Sequence, residues 1–130
     1  MREIADILDE DQMPDALDEY QGCAMEFAIY PGMLLYPALG LASEAGEVAD
    51  KVKKLIRDDE MPLDENYNPA REVDADKRRA IALEIGDCLF YCAALADDIG
   101  YTLSEIADMN IAKLEDRAIR GKITGSGDYR

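Results

Sequence analysis

Apolar residues recur at helical spacing along most of this chain. Ala38, Leu41, Ala45, Val48, Val52 and Leu55 alternate steps of three and four, which is the seam of a bundle helix opening at Tyr36-Pro37. Ile81, Ile85, Cys88, Cys92, Leu95 and Ile99 repeat the pattern, while Leu83, Leu89, Phe90 and Ala93 lie off it. A helix so apolar all round is central or packs against a second subunit. Earlier, Pro14-Asp15 opens a helix through Leu17, Tyr20, Ala24 and Phe27 that Pro31-Gly32 closes, and residues 2–9 form a short helix through Ile4, Ile7 and Leu8. Gly100 ends the third main helix. Thr102 or Ser104 caps the last one, with Glu105 placed for a capping box on Thr102, and Ala107, Ile111, Leu114 and Ala118 form its seam. From Asp58 to Asp76 the periodicity fails and Pro62, Asn66, Asn68 and Pro69 appear, so residues 58–76 read as a long exposed loop. Residues 120–130 are too glycine-rich for a helix and read as a flexible tail. The expected fold is all-α: one domain over residues 1–130, with four main helices in a bundle-type module.

Polar residues stand beside these seams in a repeated way. Glu44-Ala45-Gly46-Glu47 and Glu84-Ile85-Gly86-Asp87 each hold two acids three residues apart, with a glycine before the second. Acids at that spacing share a helix face, so two such helices side by side converge four carboxylates. Glu44, Glu47, Lys51 and Lys54 each precede a seam residue by one position, as do Glu84, Asp87 and Tyr91 on the third helix, and Asn110, Lys113 and Arg117 on the last. If these edges meet, they form one cleft with acids on two walls and Asn110, Lys113 and Arg117 on the third. A helix-interior glycine costs about 1 kcal/mol relative to alanine. Gly46 and Gly86 therefore imply either close approach of two backbones or room for a ligand beside the acids.

Composition narrows the chemistry. The 130 residues are 48% hydrophobic and 33% charged, with net charge −15 and no histidine. That balance excludes wholesale disorder and opposes stable nucleic-acid or anionic-membrane binding. Three cysteines without histidine make a poor zinc set, so Cys23, Cys88 and Cys92 read as buried free thiols of a reducing compartment. No stretch reaches the roughly 20 apolar residues of a membrane span. Without an N-terminal leader pattern, the expected location is cytoplasmic. Four carboxylates cannot all ionise in a dry site without cations, and oxygen-only ligation suits Mg²⁺, with Mn²⁺ as an alternative. Such ions typically carry phosphates, and Lys51 and Lys54 extend the acidic stripe toward the far end of a polyphosphate. Spacing and chemistry together indicate metal-assisted hydrolysis of a phosphoanhydride.

Plainer readings exist for each feature. Glu47–Lys51 and Asp50–Lys54 fit the i,i+4 pairs of a solvated helix, worth about 0.2–0.5 kcal/mol each. Asn110 also suits a register-fixing residue, and Lys113, Arg117 and Arg120 suit cations favoured near a helix C-terminus. The alternative function is a non-catalytic acidic helical bundle acting as a binding or regulatory module.

The run Leu39-Gly40-Leu41-Ala42-Ser43-Glu44-Ala45-Gly46-Glu47-Val48-Ala49-Asp50-Lys51, then Glu84-Ile85-Gly86-Asp87-Cys88-Leu89-Phe90-Tyr91, then Asn110-Ile111-Ala112-Lys113-Leu114, resembles the MazG-like nucleotide pyrophosphohydrolases. These belong to the all-α NTP pyrophosphatase group, alongside dimeric dUTPases and phosphoribosyl-ATP pyrophosphohydrolases. The resemblance implies a homo-oligomer, dimer or tetramer, and Mg²⁺-dependent cleavage of a (d)NTP to (d)NMP and pyrophosphate by metal-activated water. It also implies Glu44, Glu47, Glu84 and Asp87 as metal ligands and catalytic acids, with Lys51, Lys54, Asn110 and Lys113 on phosphate or ribose. Tyr91 and Arg117 complete the candidate substrate contacts. The long interval between the acid pairs, and Phe90-Tyr91 where many members carry tryptophan, depart from the common pattern.

Overall fold

A computed structural model describes residues 16–121. Four helices make up that span: α1 (Ala16–Met25), α2 (Leu35–Arg57), α3 (Ala75–Asp98) and α4 (Leu103–Ile119). Among the described residues there is no strand, only an isolated bridge between Leu63 and Pro69. The expected short helix at 2–9, the Pro14-Asp15 helix start and tail positions 122–130 lie outside the described residues. No helix of the described residues is long and apolar enough to cross a membrane.

Several helix ends follow from side-chain chemistry. Thr102 caps α4, its hydroxyl accepting from the Glu105 amide while the Glu105 carboxylate accepts from the Thr102 amide at 2.8 Å. Asp74 caps α3 by accepting the Asp76 amide at 2.9 Å. Beyond α3, Gly100 takes φ +78, the left-handed geometry that glycine supplies at a helix C-terminus without steric cost.

α3 is the central helix. It packs against α1, α2 and α4, whereas α4 sits on α1 and α3 and makes no contact with α2 among the described residues. Small side chains permit this close packing: Ala24, Ala93 and Ala96 form the buried cluster with Leu103, and Tyr20, Met25, Phe90, Cys92 and Ile106 pack around it. All three cysteines are free. Cys88 and Cys92 are half-buried, but Cys23 is exposed and not in the core as its apolar surroundings in sequence imply. Burial pushes the Cys92 thiol up from its ordinary range.

Two polar residues of α1 hold the start of α4. The buried Gln21 side chain accepts from the Leu103 amide at 2.9 Å and donates to the carbonyls of Tyr101 and Ala93 at 3.1 and 3.3 Å. Asp18 accepts from the Ser104 amide at 2.9 Å and the Ser104 hydroxyl at 2.6 Å, and these bonds hold its carboxyl below the usual range. The first turn of α4 thus finds partners for amides that no helix can satisfy internally.

Two segments differ from the sequence expectation. α1 stops at Met25, well before Pro31-Gly32. The amides of Glu26, Phe27 and Ala28 turn back to carbonyls three residues earlier, which tightens and ends the helix. Phe27 and Ile29 are consequently 72% and 91% exposed, while Tyr30 turns inward to stack on Tyr36 with ring centroids 4.3 Å apart. The connection between α2 and α3 covers 58–74 and is organised rather than structureless. The Asp64 carboxylate accepts the Asn66 and Asn68 amides, and the Asp64 amide donates to the Asn68 carbonyl at 2.8 Å. The Ala70 amide donates to the Pro62 carbonyl at 2.7 Å, closing a hairpin-like loop with Tyr67 at its tip in the left-handed region.

Candidate metal centre

α2 and α3 lie antiparallel, with Gly40 beside Tyr91 at one end and Leu55 near Ile81 at the other. The face that α2 turns to its neighbour carries Pro37, Gly40, Leu41, Glu44, Val48, Lys51, Val52 and Leu55. It shares Leu41, Val48, Val52 and Leu55 with the expected seam but takes Glu44 in place of Ala45. α3 differs likewise: Glu84 is half-buried and Ile85 is 54% exposed. Glu44 and Glu84 are therefore within the interhelical face, whereas Glu47 and Asp87 are exposed. Two three–four alternations displaced by one position share most of their apolar members, so apolarity alone cannot choose between them.

This rotation brings three carboxylates together. Oxygens of Glu44, Glu84 and Asp87 all lie within 4.8 Å of one another. Glu47 is exposed and outside that trio, though its charge still acts on Glu44. Burial pushes the Glu44 carboxyl up from its ordinary value, with further upward pressure from Asp87, Glu84 and Glu47. Lys51 supplies a cation: its Nζ is 3.0 Å from Glu84 Oε1, and that contact raises the ammonium pKa. The donor set is all oxygen and partly desolvated, which fits a hard divalent cation such as Mg²⁺ or Mn²⁺.

Either side of the trio has a distinct character. Toward the α2 N-terminus stands an aromatic group. The Tyr91 ring is tilted against Tyr30 and Tyr36 at 6.2 and 6.4 Å, and Phe90 meets it edge-on at 5.2 Å. The Tyr91 phenol is pushed up by burial, by Tyr36 and, more weakly, by the charge of Glu44. Toward the other end, a cleft of about 220 Å³ is lined by Lys51, Lys54, Lys77, Asp58, Glu60 and Ile81, among others. Lys54 also pairs with Asp50, whose carboxyl is lowered to about 2 by its bonds to Lys53 and Lys54.

Of the remaining sequence candidates, Asn110 is exposed, Lys113 half-buried and Arg117 buried on α4. Because α4 does not reach α2, the expected third wall is not built beside α2 among the described residues. Lys77 was not legible as a site residue, although it lies seven positions before Glu84 and hence on the same face of α3.

A Cβ at Gly46 or Gly86 would meet nothing within 4 Å, so close backbone approach within the chain does not explain either. The glycine that packing requires is Gly40, where a Cβ would stand 2.5 Å from the Tyr91 ring. Gly40→Ala is expected to displace that ring and cost about 1–3 kcal/mol, read as a changed near-UV dichroism signal and a lower melting point. Gly46→Ala and Gly86→Ala should instead each stabilise the lone chain by up to about 1 kcal/mol. A fall in melting point for either would show that its outer surface is covered in the working protein.

A profile of the MazG nucleotide pyrophosphohydrolase domain matches residues 37–120. The "Gene 37 protein" of Mycobacterium phage L5 is 38% identical over 122 residues, spanning 88% of this chain and 98% of that relative. No solved structure matches. The profile match begins at the buried Pro37 and so takes in the acid trio, the lysine-lined cleft and the whole of α4.

Proposed function

The chain belongs to the MazG nucleotide pyrophosphohydrolase family, and from that premise we propose that it hydrolyses nucleoside triphosphates, ribo or deoxy, between the α and β phosphates, giving monophosphate and pyrophosphate. The observation that carries this reading is the convergence of Glu44, Glu84 and Asp87 next to a lysine-lined cleft. Glu44, Glu84 and Asp87 would hold Mg²⁺, which Mn²⁺ replaces, with Glu47 at the exposed margin. A bound divalent cation supplies polarisation of a phosphoryl oxygen and a water of lowered pKa.

The chain's own groups account for the rest. Half-burial of Glu44 and Glu84 thins the water around the reacting phosphate, strengthening every charge contact there. Lys51 and Lys54 face the polyphosphate from the adjoining cleft. Tyr91, held over Gly40 at the opposite side of the trio, offers an aromatic face to the nucleoside. Asn110, Lys113 and Arg117 sit on α4, which packs on α1 and α3 and not on α2, so they reach substrate from the α3 side or from a second copy. Exposed Leu39, Leu83, Ile85 and Leu89 on α2 and α3 support such a homo-oligomer, dimer or tetramer, and sedimentation velocity should return more than one chain per particle. Free thiols suit a reducing, cytoplasmic setting.

Incubation with a panel of (d)NTPs and Mg²⁺ is expected to release pyrophosphate and the matching monophosphate, and chelation to stop it. Inorganic phosphate as the sole product would overturn the position of cleavage. A saturable Mg²⁺ site with no turnover on any nucleotide would leave a binding module in place of an enzyme.

A further inference from the structure

Lys51 occupies an unusual position between two sites. Its ammonium is 3.0 Å from Glu84, one of the three clustered acids, yet the same residue lines the cleft that also holds Lys54 and Lys77. The Glu84 side chain is 18% exposed and that of Lys51 34%, so both partners are partly desolvated and this is not a loose surface pair. A divalent ion bound by Glu84 and Lys51's ammonium compete for one carboxylate, and like charges at such range repel strongly. Lysine is suited to move, being a point charge on a four-carbon flexible stem.

The destination is already formed. In the cleft, Lys54 is engaged by Asp50 and Lys77 approaches Glu60 at 3.4 Å, while Asp58 adds a further negative charge. Those two lysines alone are largely neutralised by their neighbours. A third lysine released from Glu84 tips the cleft toward binding an anion. Because Lys51 already lines the cleft, the transfer needs a side-chain rotation and no backbone movement.

From this arrangement we propose that Lys51 is an exchangeable cation: it neutralises Glu84 in the metal-free chain and, on metal binding, turns into the cleft to complete a phosphate site with Lys54 and Lys77. Metal loading and pyrophosphate binding are then coupled through one side chain. The inference rests on the reading of the acid trio as the metal site.

The test uses Mg²⁺ alone, titrated calorimetrically into the nucleotide-free protein. Lys51→Met is expected to bind Mg²⁺ about tenfold more tightly than the native chain. Lys53→Met, which removes the same charge from an exposed position on the same helix, should stay within twofold. Side-chain NMR of lysine ammonium groups in the native protein gives an independent readout that does not depend on any variant folding. The Lys51 signal should shift when Mg²⁺ is added and shift again with inorganic pyrophosphate. Equal Mg²⁺ affinity for Lys51→Met and the native chain, or a Lys51 signal indifferent to Mg²⁺, would overturn the exchange while leaving the metal site standing. If the native chain shows no saturable Mg²⁺ binding that Glu84→Gln abolishes, the metal reading itself falls, and the exchange with it.

Discussion

Glu44→Gln is expected to lower pyrophosphate release by roughly two to three orders of magnitude while raising the melting point of the metal-free protein. The first effect follows from losing one of three converging ligands, since metal stabilisation of the transition state is worth several kcal/mol and each 1.4 kcal/mol is about tenfold in rate. The second follows from the raised pKa of Glu44, caused by burial and then by Asp87, Glu84 and Glu47. A carboxyl that holds its proton more tightly when folded makes the folded state the better proton binder above the ordinary value. Stability therefore falls as pH rises through that window and returns as pH is lowered. Glutamine carries no titrating proton, so the variant's melting point should lack that slope. Melting curves in chelator across a pH series, set beside turnover at saturating Mg²⁺, check both halves. A variant that melts lower than the native chain at neutral pH would contradict the account of repulsion within the trio.

Gln21→Ala should produce the largest loss of stability from a single polar side chain, about 2–4 kcal/mol by denaturant titration. It removes the acceptor for the Leu103 amide and the donor to the Tyr101 and Ala93 carbonyls, all at the buried junction of α1, α3 and α4. A buried amide left without a partner costs about 1–3 kcal/mol, and the vacated volume adds to it. Gln21→Glu is a sharper version. It keeps the acceptor but turns an anion toward two carbonyl oxygens, so it should be as damaging at neutral pH and milder in acid. Because Gln21 meets α3 only at the Ala93 carbonyl and touches none of the three clustered acids, neither change should alter Mg²⁺ affinity at temperatures where the chain remains folded.

Much of this architecture is written in local chemistry. The Thr102–Glu105 capping box, the ends of α2 and α3 and the central place of α3 all follow from spacing and helix-end residues, because those signals act within a few positions. What escaped carries no helical period. Asp64's grip on Asn66 and Asn68 is a side-chain turn with no periodicity to reveal it. α1 ends at Met25 in a tightened turn, and Tyr30 beyond it stacks on Tyr36, a pairing of side chains that spacing does not announce. Glu44 stands in place of Ala45 on the contact face even though half-burying an acid beside Glu84 and Asp87 gains nothing from apolar contact and is opposed by their charge. That reversal is itself informative: local pattern fails where a chain has chosen chemistry over packing. Lys51 and Lys54 follow the acidic pair along α2 in the sequence itself, whereas Lys77 needed the fold to bring the α3 N-terminus alongside.

The left-handed residue that begins α2 bears on all of this. Leu34 takes φ 60 and donates its amide to the Asp98 carboxylate at 2.7 Å, tying the start of α2 to the end of α3. The 58–74 loop already joins their opposite ends. The two helices thus form a closed frame, and the mutual repulsion of Glu44, Glu84 and Asp87 pushes against a beam fixed at both supports. Splaying the pair cannot relieve that load. Protonation of Glu44 relieves it in acid and a counter-ion relieves it at neutral pH, so the frame turns electrostatic pressure into appetite for a cation.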